Sequence, residues 1–392
     1  MVKYLTQRIA LAFLTLLIII FVVFMAVAHF SDNPFLQGVT SSNLSEGSKK
    51  VADQAAAISS AYEKSIQYHY TYAPSGGLEE HLTDWHSYKV NEFSRFLYWI
   101  QSAFNSERPF GLVVDTKLLS VSNVKTIPEL TFKYLKYSIW FTLPSFLISA
   151  TLGIALGILA GYKRGKIIDS IINAFSLVFS ALPSFVIAPI AISLILYFAP
   201  TAHYKFIDPS KSEIFSTWDQ IKAALPAISI IVLGSLSGYI TYTRNQVISA
   251  LTSNYVLIAK TKGLSTVQIF FKYVLRNISI PLAAALIPSY IGLLSGGIIL
   301  ETYFGVPGIS RVFADSFTKS EINLIMFNTV FFTFLSLMTV IVVDISYAIL
   351  DPRIKLASSS QAGMIYKFKA WIKRRKLYDL NQKDHSLEKG GE

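Results

Sequence analysis

The sequence predicts an all-α polytopic membrane protein, and three observations carry that prediction. Only 15% of its 392 residues are charged, against about 25% in soluble globular domains. Hydrophobic residues make up 52% of the chain and aromatic residues 14%, giving a mean hydropathy of +0.47. Six apolar stretches, near 9–29, 137–160, 168–198, 226–248, 279–300 and 326–350, are each long enough to cross about 30 Å of hydrocarbon as a helix rising about 1.5 Å per residue. An ordinary soluble domain is thereby excluded. The chain has no cysteine, which removes disulfides, thiolate catalysis, Cys-bound zinc and iron–sulfur clusters.

The first span follows Lys3 and Arg8 and runs from Ile9 to Ala28 without a charge. Its Ala26-Val27-Ala28 ending resembles a signal-peptide cleavage site. An apolar run of about 20 residues exceeds the roughly 7–15 of a signal sequence, so residues 1–30 read as a retained anchor helix. Residues 31–135 are too long for a plain connector and read as an insertion between the first and second helices. Its first part, Ser31 to Ala73, is rich in Ser, Asn, Ala and Lys and predicts weakly amphipathic helix with loop. Phe96, Tyr98, Trp99 and Phe104 then cluster between Phe93 and Phe110, as an interfacial aromatic belt or a surface for a partner protein.

The remaining five spans form a core over 136–355. Gly153, Gly157 and Gly161 recur at four-residue spacing, as do Gly292 and Gly296; such positions let helices approach closely in lipid, inside one chain or across a subunit boundary. Pro183 and Pro189 interrupt the third span, predicting a kink or a re-entrant piece where a backbone hydrogen bond is lost. Between the fourth and fifth spans, the 250–280 loop predicts helix, break, helix. Apolar periodicity runs through Tyr255, Ile258 and Ala259, Gly263 stops the first helix, and Ser265 caps a second that carries Val267, Phe270, Phe271 and Val274. Exposed apolar groups beside basic ones there suit docking into a groove on another protein or lying on the inner leaflet. Asp344 is the clear ionisable residue inside a span, expected to bond a Ser, a Tyr or a backbone group on a neighbouring helix. A basic tail fills 356–392.

Charge sorts these pieces by side. The formal net charge is +11, from 35 Lys and Arg against 24 Asp and Glu. Twenty of those basic residues lie in four pieces: the N-terminal eight residues, the second-to-third connection (Lys163, Arg164, Lys166), the fourth-to-fifth connection and the tail from Asp351. These pieces belong in the cytoplasm, with both termini, and the 31–135 segment belongs outside. The excess is topological, so no nucleic acid is expected; the partner implied is membrane lipid.

Sites for chemistry are scarce. Glu79, Glu80, His81, Asp84 and His86 form the densest cluster, but the two histidines are five apart, not the four that put two imidazoles on one helix face, and a solvated loop is expected. Gly161-Tyr162-Lys163-Arg164-Gly165-Lys166 is one residue too short between its glycines for a phosphate loop, and Ile167 stands where Ser or Thr would hold magnesium. No Gly-x-Ser-x-Gly elbow is present. No catalytic, cofactor or metal residue is therefore assigned, and the chain is not expected to be an enzyme. A secondary carrier would want several mid-membrane charges, and beyond Asp344 only Lys136 and Arg244 sit near span ends. A membrane-anchored receptor working through 31–135 is a third reading.

The 250–280 loop resembles the cytoplasmic "EAA" coupling loop of ABC-importer permeases, in the form found in the dipeptide/oligopeptide/nickel permease family. The matching residues are Ala259, Lys262, Gly263, Leu264, Leu275, Arg276, Asn277 and Pro281, with Leu257 and Ile258 in place of the opening Glu-Ala. Glu301-Thr302 with Pro307-Gly308-Ile309 and Arg311 resembles the family's external element. Asp344 through Asp351-Pro352-Arg353-Ile354 resembles its closing motif, and Tyr4 to Arg8 before a long span resembles its B-type subunit. The likeness covers 1–30 and 95–355; residues 31–94 are longer than the family leads one to expect, and neither they nor the basic tail beyond Lys355 are interpreted by it. It implies a type I importer permease fold in the cell membrane. It also implies a homologous second permease, two cytosolic ATPases carrying ATP and magnesium, and an extracytoplasmic peptide-binding protein as partners. Tyr255, Ala259, Lys260, Lys262, Gly263, Leu264, Arg276 and Asn277 would meet the ATPase, with Ala259 and Gly263 permitting close backbone approach. Glu301, Thr302, Pro307, Gly308 and Arg311 would form the external gate.

Overall fold

A computed structural model describes residues 2–36, 51–81, 84–115, 123–201, 203–209, 214–350, 371 and 373–375. The Asp351-Pro352-Arg353-Ile354 motif and almost all of the tail lie outside them. Among the described residues the regular structure is helical, with one isolated bridge, Thr71 to Lys89.

Helix α1 is Val2–Phe30. The segment that follows contains α2, Val51–Gln67, a turn of helix α3, Gly77–Glu80, and α4, Glu92–Ala103. It does not float on its own core. Ile20, Phe24 and Ala28 of α1 are buried with Phe35, Ala61, Tyr70, Trp85 and Trp99, and with Ile322 and Met326 further along the chain. Phe96 stands 5.2 Å from Phe21 and 5.3 Å from Phe24, ring to ring, so part of the predicted aromatic cluster is internal packing; Phe93, Leu97, Tyr98 and Phe104 stay exposed. His81 Nδ1 sits 3.2 Å from Asp84 in the polar loop.

The second span, α5, is Ile127–Tyr162, opened by a capping box in which Thr126 and Glu129 satisfy each other's backbone N–H. At 36 residues it is about 54 Å long, well beyond the hydrocarbon. The third apolar segment is two helices of 15 residues each, α6, Ile167–Ala181, and α7, Ser184–Phe198, meeting at 98°. Leu182 is extended because Pro183 follows it, and the ring at Pro183 starts the new helix. Helix α8, Thr217–Leu251, begins at a Ser216 cap. Helix α9, Asn254–Thr261, is short, and α10 spans Thr266–Ser295. The fifth apolar stretch is thus shifted from the expected 279–300, because the helix ends at Gly296-Gly297 and restarts as α11, Ile298–Tyr303. Helix α12, Ile309–Thr318, and α13, Ile322–Leu350, follow. Among the described residues, five helices are long and apolar enough to span, and the bent pair makes a sixth crossing if counted as one.

Candidate functional site

The three glycines at four-residue spacing in α5 set the frame. A Cβ on Gly153 would fall 2.5 Å from Tyr239 Cβ, on Gly157 2.6 Å from Thr243 Cβ, and on Gly161 2.7 Å from Val247 Cβ. Helices α5 and α8 therefore meet nearly backbone to backbone, within one chain, through contacts that only hydrogen side chains permit. At the end of this seam Arg244 of α8 makes a bidentate pair with Asp169 of α6, Nε to Oδ1 at 2.6 Å and the second nitrogen to Oδ2 at 2.8 Å. Asp169 also accepts from the Gly165 amide at 2.9 Å and from Asn173 at 2.8 Å. All its acceptor directions are used, as an acid packed among helices requires. The basic turn 163–166 is thereby tied to α6 and α8.

The other face of α8 is open. Gly234, Gly238 and Gly292 have nothing within 4 Å of where a side chain would start, and with Ser180, Ser235 and Ser289 they help line a groove of about 530 Å³ between α6, α8 and α10. Tyr239 and Ser289 share a 2.8 Å hydroxyl bond across it, and Tyr242 donates to the Pro281 carbonyl at 3.2 Å. Among the described residues none of those lining it is charged. Hydroxyls, glycines and aliphatic walls offer hydrogen bonds and shape without fixing one sign of charge.

The segment joining α8 to α10 is the second element of the site. Ser253 precedes α9, whose inner face is Val256 and Ala259; both are buried with Val247 and Ala250 of α8 and Ile269, Val274 and Ile278 of α10. Its outer face carries Tyr255, Leu257 and Ile258, the last 55% exposed, together with Lys260. The periodicity read through Tyr255, Ile258 and Ala259 thus mixes two faces. Beyond Thr261, Gly263 N–H bonds the Lys260 carbonyl at 3.0 Å and Leu264 N–H the Ala259 carbonyl at 3.3 Å. This paired closure requires a left-handed residue at its turn, and Gly263 has φ of 73°. A Cβ there would touch nothing within 4 Å, so φ, not close approach inside the chain, is what demands glycine. Leu264 folds back onto the same buried cluster, and Lys262 stays exposed.

Ser265 and Gln268 form a capping box that starts the next helix. Here the expected second short helix is replaced by the end of a span: residues 266–269 run through a π turn, Phe270–Val274, directly into Leu275–Ser295. Arg276 and Asn277 accordingly sit exposed on α10 itself, with Asn277 bonding the Tyr273 carbonyl at 2.6 Å. Helix α9 is therefore wedged between α8 and α10, the two helices that line the groove.

The Glu301 group forms the third element. Glu301 is fully buried; it accepts from Ser138 at 2.7 Å and from the Arg311 amide at 2.8 Å, while Ser138 receives the Ile309 amide at 2.9 Å. The carboxylate thus satisfies the free N–H groups opening α12, and burial raises its pKa. Gly308 is required: a Cβ there would lie 2.2 Å from the Glu301 carboxyl carbon. The Arg311 side chain turns away to Asp315 at 3.9 Å, Thr302 bonds its own helix at Ile298, and Pro307 is half-buried. Ser138 and Asp169 escaped the sequence reading; a lone acid beside three basic residues in the 163–169 turn was the available sign for Asp169. Asp344 pairs with Arg8 of α1 at 3.2 Å, not with a hydroxyl or backbone group.

Long helices around a half-open, uncharged groove define a multi-pass membrane protein of the permease type. Residues 153–356 match the family described as "binding-protein-dependent transport system inner membrane component", and the chain belongs to that family. It is similar to the oligopeptide transport system permease protein OppB of Mycoplasma genitalium, 31% identical over 62% of this chain and 60% of that protein. OppB of Mycoplasma pneumoniae is 30% identical over 64% and 65%. The dipeptide transport system permease protein DppB of Lactococcus lactis is 24% identical over 91% of this chain and all of that protein. The chain spans less than two thirds of the length of the two mycoplasma relatives.

Proposed function

We propose that this chain is the permease subunit of an ATP-driven importer of oligopeptides or dipeptides and supplies half of its translocation pathway. A homologous second permease closes the open side of the groove. Two cytosolic ATPases, which bind the ATP and magnesium, receive α9, and an extracytoplasmic binding protein delivers peptide. The chain itself is not an enzyme in this reading. The observation that carries it is α9: a helix with an apolar and basic outer face, closed by Gly263 and packed between the two groove-lining helices. Movement of a docked ATPase would pass through it to the groove as a rigid-body shift. The sorting of basic residues supports cytoplasmic termini in the cell membrane, with 31–135 outside.

The uncharged groove supports a substrate held by neutral hydrogen bonds and disfavours an ion-coupled carrier, which needs ionisable groups along its path. Replacing Ile258 with Asp puts a charge at the centre of the proposed docking face while leaving the buried face intact. The variant should insert normally, lose the co-purifying ATPases, and fall at least about tenfold in peptide uptake. Unchanged ATPase retention, or peptide movement by the lone chain without ATP, would overturn the proposal.

A further inference from the structure

A second cavity, of about 510 Å³, lies well away from the groove, where α4 and the loops at 67–70 and 101–112 meet the start of α13. Its most buried charged wall is Arg95, 8% exposed. The Arg95 guanidinium donates to the Ala28 carbonyl at 3.3 Å and lies 4.6 Å over the Tyr70 ring. Among the described residues no carboxylate lies within ion-pair distance of it. Buried cations are normally paired, so a guanidinium held by the Ala28 carbonyl and by the ring and hydroxyl of Tyr70 has unused donors.

Arg108 lines the same cavity, and among the described residues its one side-chain bond is a long one to Tyr68, at 3.4 Å. Among the described residues no Asp or Glu lines the cavity. The nearby acids are engaged elsewhere: Glu92 with His29 at 3.0 Å, and Glu321 with the Val114 and Asp115 amides. One wall is flat, made by His69 stacked on Tyr98 with centroids 3.5 Å apart. The side-chain amides of Gln67 and Gln101 stand exposed at the cavity. His69 and nearby Phe110 both take positive φ, 59° and 67°, conformations that non-glycine residues hold only where surrounding structure imposes them.

We infer that this cavity binds a short peptide by its free C-terminal carboxylate, received by Arg95 and Arg108. The planar guanidinium fork matches a carboxylate, aromatic walls match apolar side chains, and the amides match peptide groups. Two cations, no lysine and a volume of this size suit one carboxylate on a small molecule better than a polyphosphate. The choice of peptide rests on the importer reading above; the preference for a carboxylate does not.

The test uses the full chain in lipid nanodiscs with trialanine and trialanine amide as probes, followed by calorimetry. Trialanine should bind and its amide should bind at least about tenfold more weakly, the loss expected for a charge-assisted bond. Arg95→Gln should weaken trialanine by at least about tenfold, and so should Arg108→Gln, whose exposed position keeps folding intact if the buried change does not. Lys222→Gln, an exposed cation on α8 that lines neither cavity, should leave binding unchanged. Equal binding of acid and amide, no binding of trialanine by the wild-type chain, wild-type affinity in both arginine variants, or an equal loss in Lys222→Gln would each overturn the inference. No trialanine binding together with a weakened binding protein in Arg95→Gln would mean that the carboxylate belongs to a docking protein, which also overturns it. Failure here with peptide uptake intact leaves the importer reading standing; binding without uptake by the assembled complex defeats that reading instead.

Discussion

Gly308 and Gly263 are required for opposite reasons, and substitution separates them. At Gly308 the obstacle is space: Ala would drive a methyl group into the Glu301 carboxyl, 2.2 Å away. Gly308→Ala should destabilise the protein by about 1–3 kcal/mol as Glu301 is displaced from Ser138 and Arg311. Thermal unfolding in nanodiscs measures this, and an unchanged Tm would contradict the packing described. At Gly263 the obstacle is φ, in open space, so Ala should cost only about 1–2 kcal/mol. Gly263→Val should also leave insertion intact while uncoupling ATP hydrolysis from uptake in the assembled complex; normal coupling would count against the role of α9. In the sequence, Gly263 was legible as a helix stop because the αL closure is local. The Glu301 to Ser138 bond was not, since the two are 163 positions apart. Asp344 stood out in its apolar run, but nothing local pointed to Arg8.

The α5 and α8 helices carry glycines with different duties. Gly157 faces the seam and Gly238, on the neighbouring helix, faces the open groove. Leu at Gly157 should force the helices apart and lower the Tm. Leu at Gly238 should leave the Tm nearly unchanged while filling part of the 530 Å³ groove and cutting uptake of the larger peptides first. A common effect of both changes on stability would show that the groove face is packed after all. The repeat at 153, 157 and 161 was visible beforehand as small residues every four positions; its partner was not, because Tyr239, Thr243 and Val247 are ordinary span residues. The six apolar runs were legible because hydrophobicity is additive along the chain. The 98° bend was signalled only as Pro183, and the π turn at Phe270–Val274 left no local sign and made the second coupling helix part of a span.

Across the whole molecule, the segment between α1 and α5 is fastened at a titratable point. Glu321 takes the Val114 amide at 3.0 Å and the Asp115 amide as well, while Asp115 pairs with Lys319 at 2.8 Å. Burial lifts the Glu321 pKa from 4.5 to about 7. A pKa raised by folding means a contribution complete below the unfolded value and lost as pH rises through the folded one. The attachment should therefore loosen between pH 4.5 and about 7, read as faster amide exchange in 110–115, and Glu321→Gln should flatten that dependence. Exchange independent of pH, after correction for intrinsic rates, would refute it. The aromatic cluster of this segment was plain in the sequence, but its destination depends on contacts more than seventy residues apart with α1 and more than two hundred apart with α13. Those contacts bear on biosynthesis. Helix α1 is made before both of its main neighbours, α4 and α13, and its Arg8 meets Asp344 only after α13 is synthesised. Until α13 is made, the aromatic face of α1 is met by Phe96 and Trp99 of α4 but lacks Ile322 and Met326, and Arg8 lacks Asp344 beside it. A chain terminated before residue 322 would keep most of its spans and still present that half-covered helix to the machinery that clears unfinished membrane proteins.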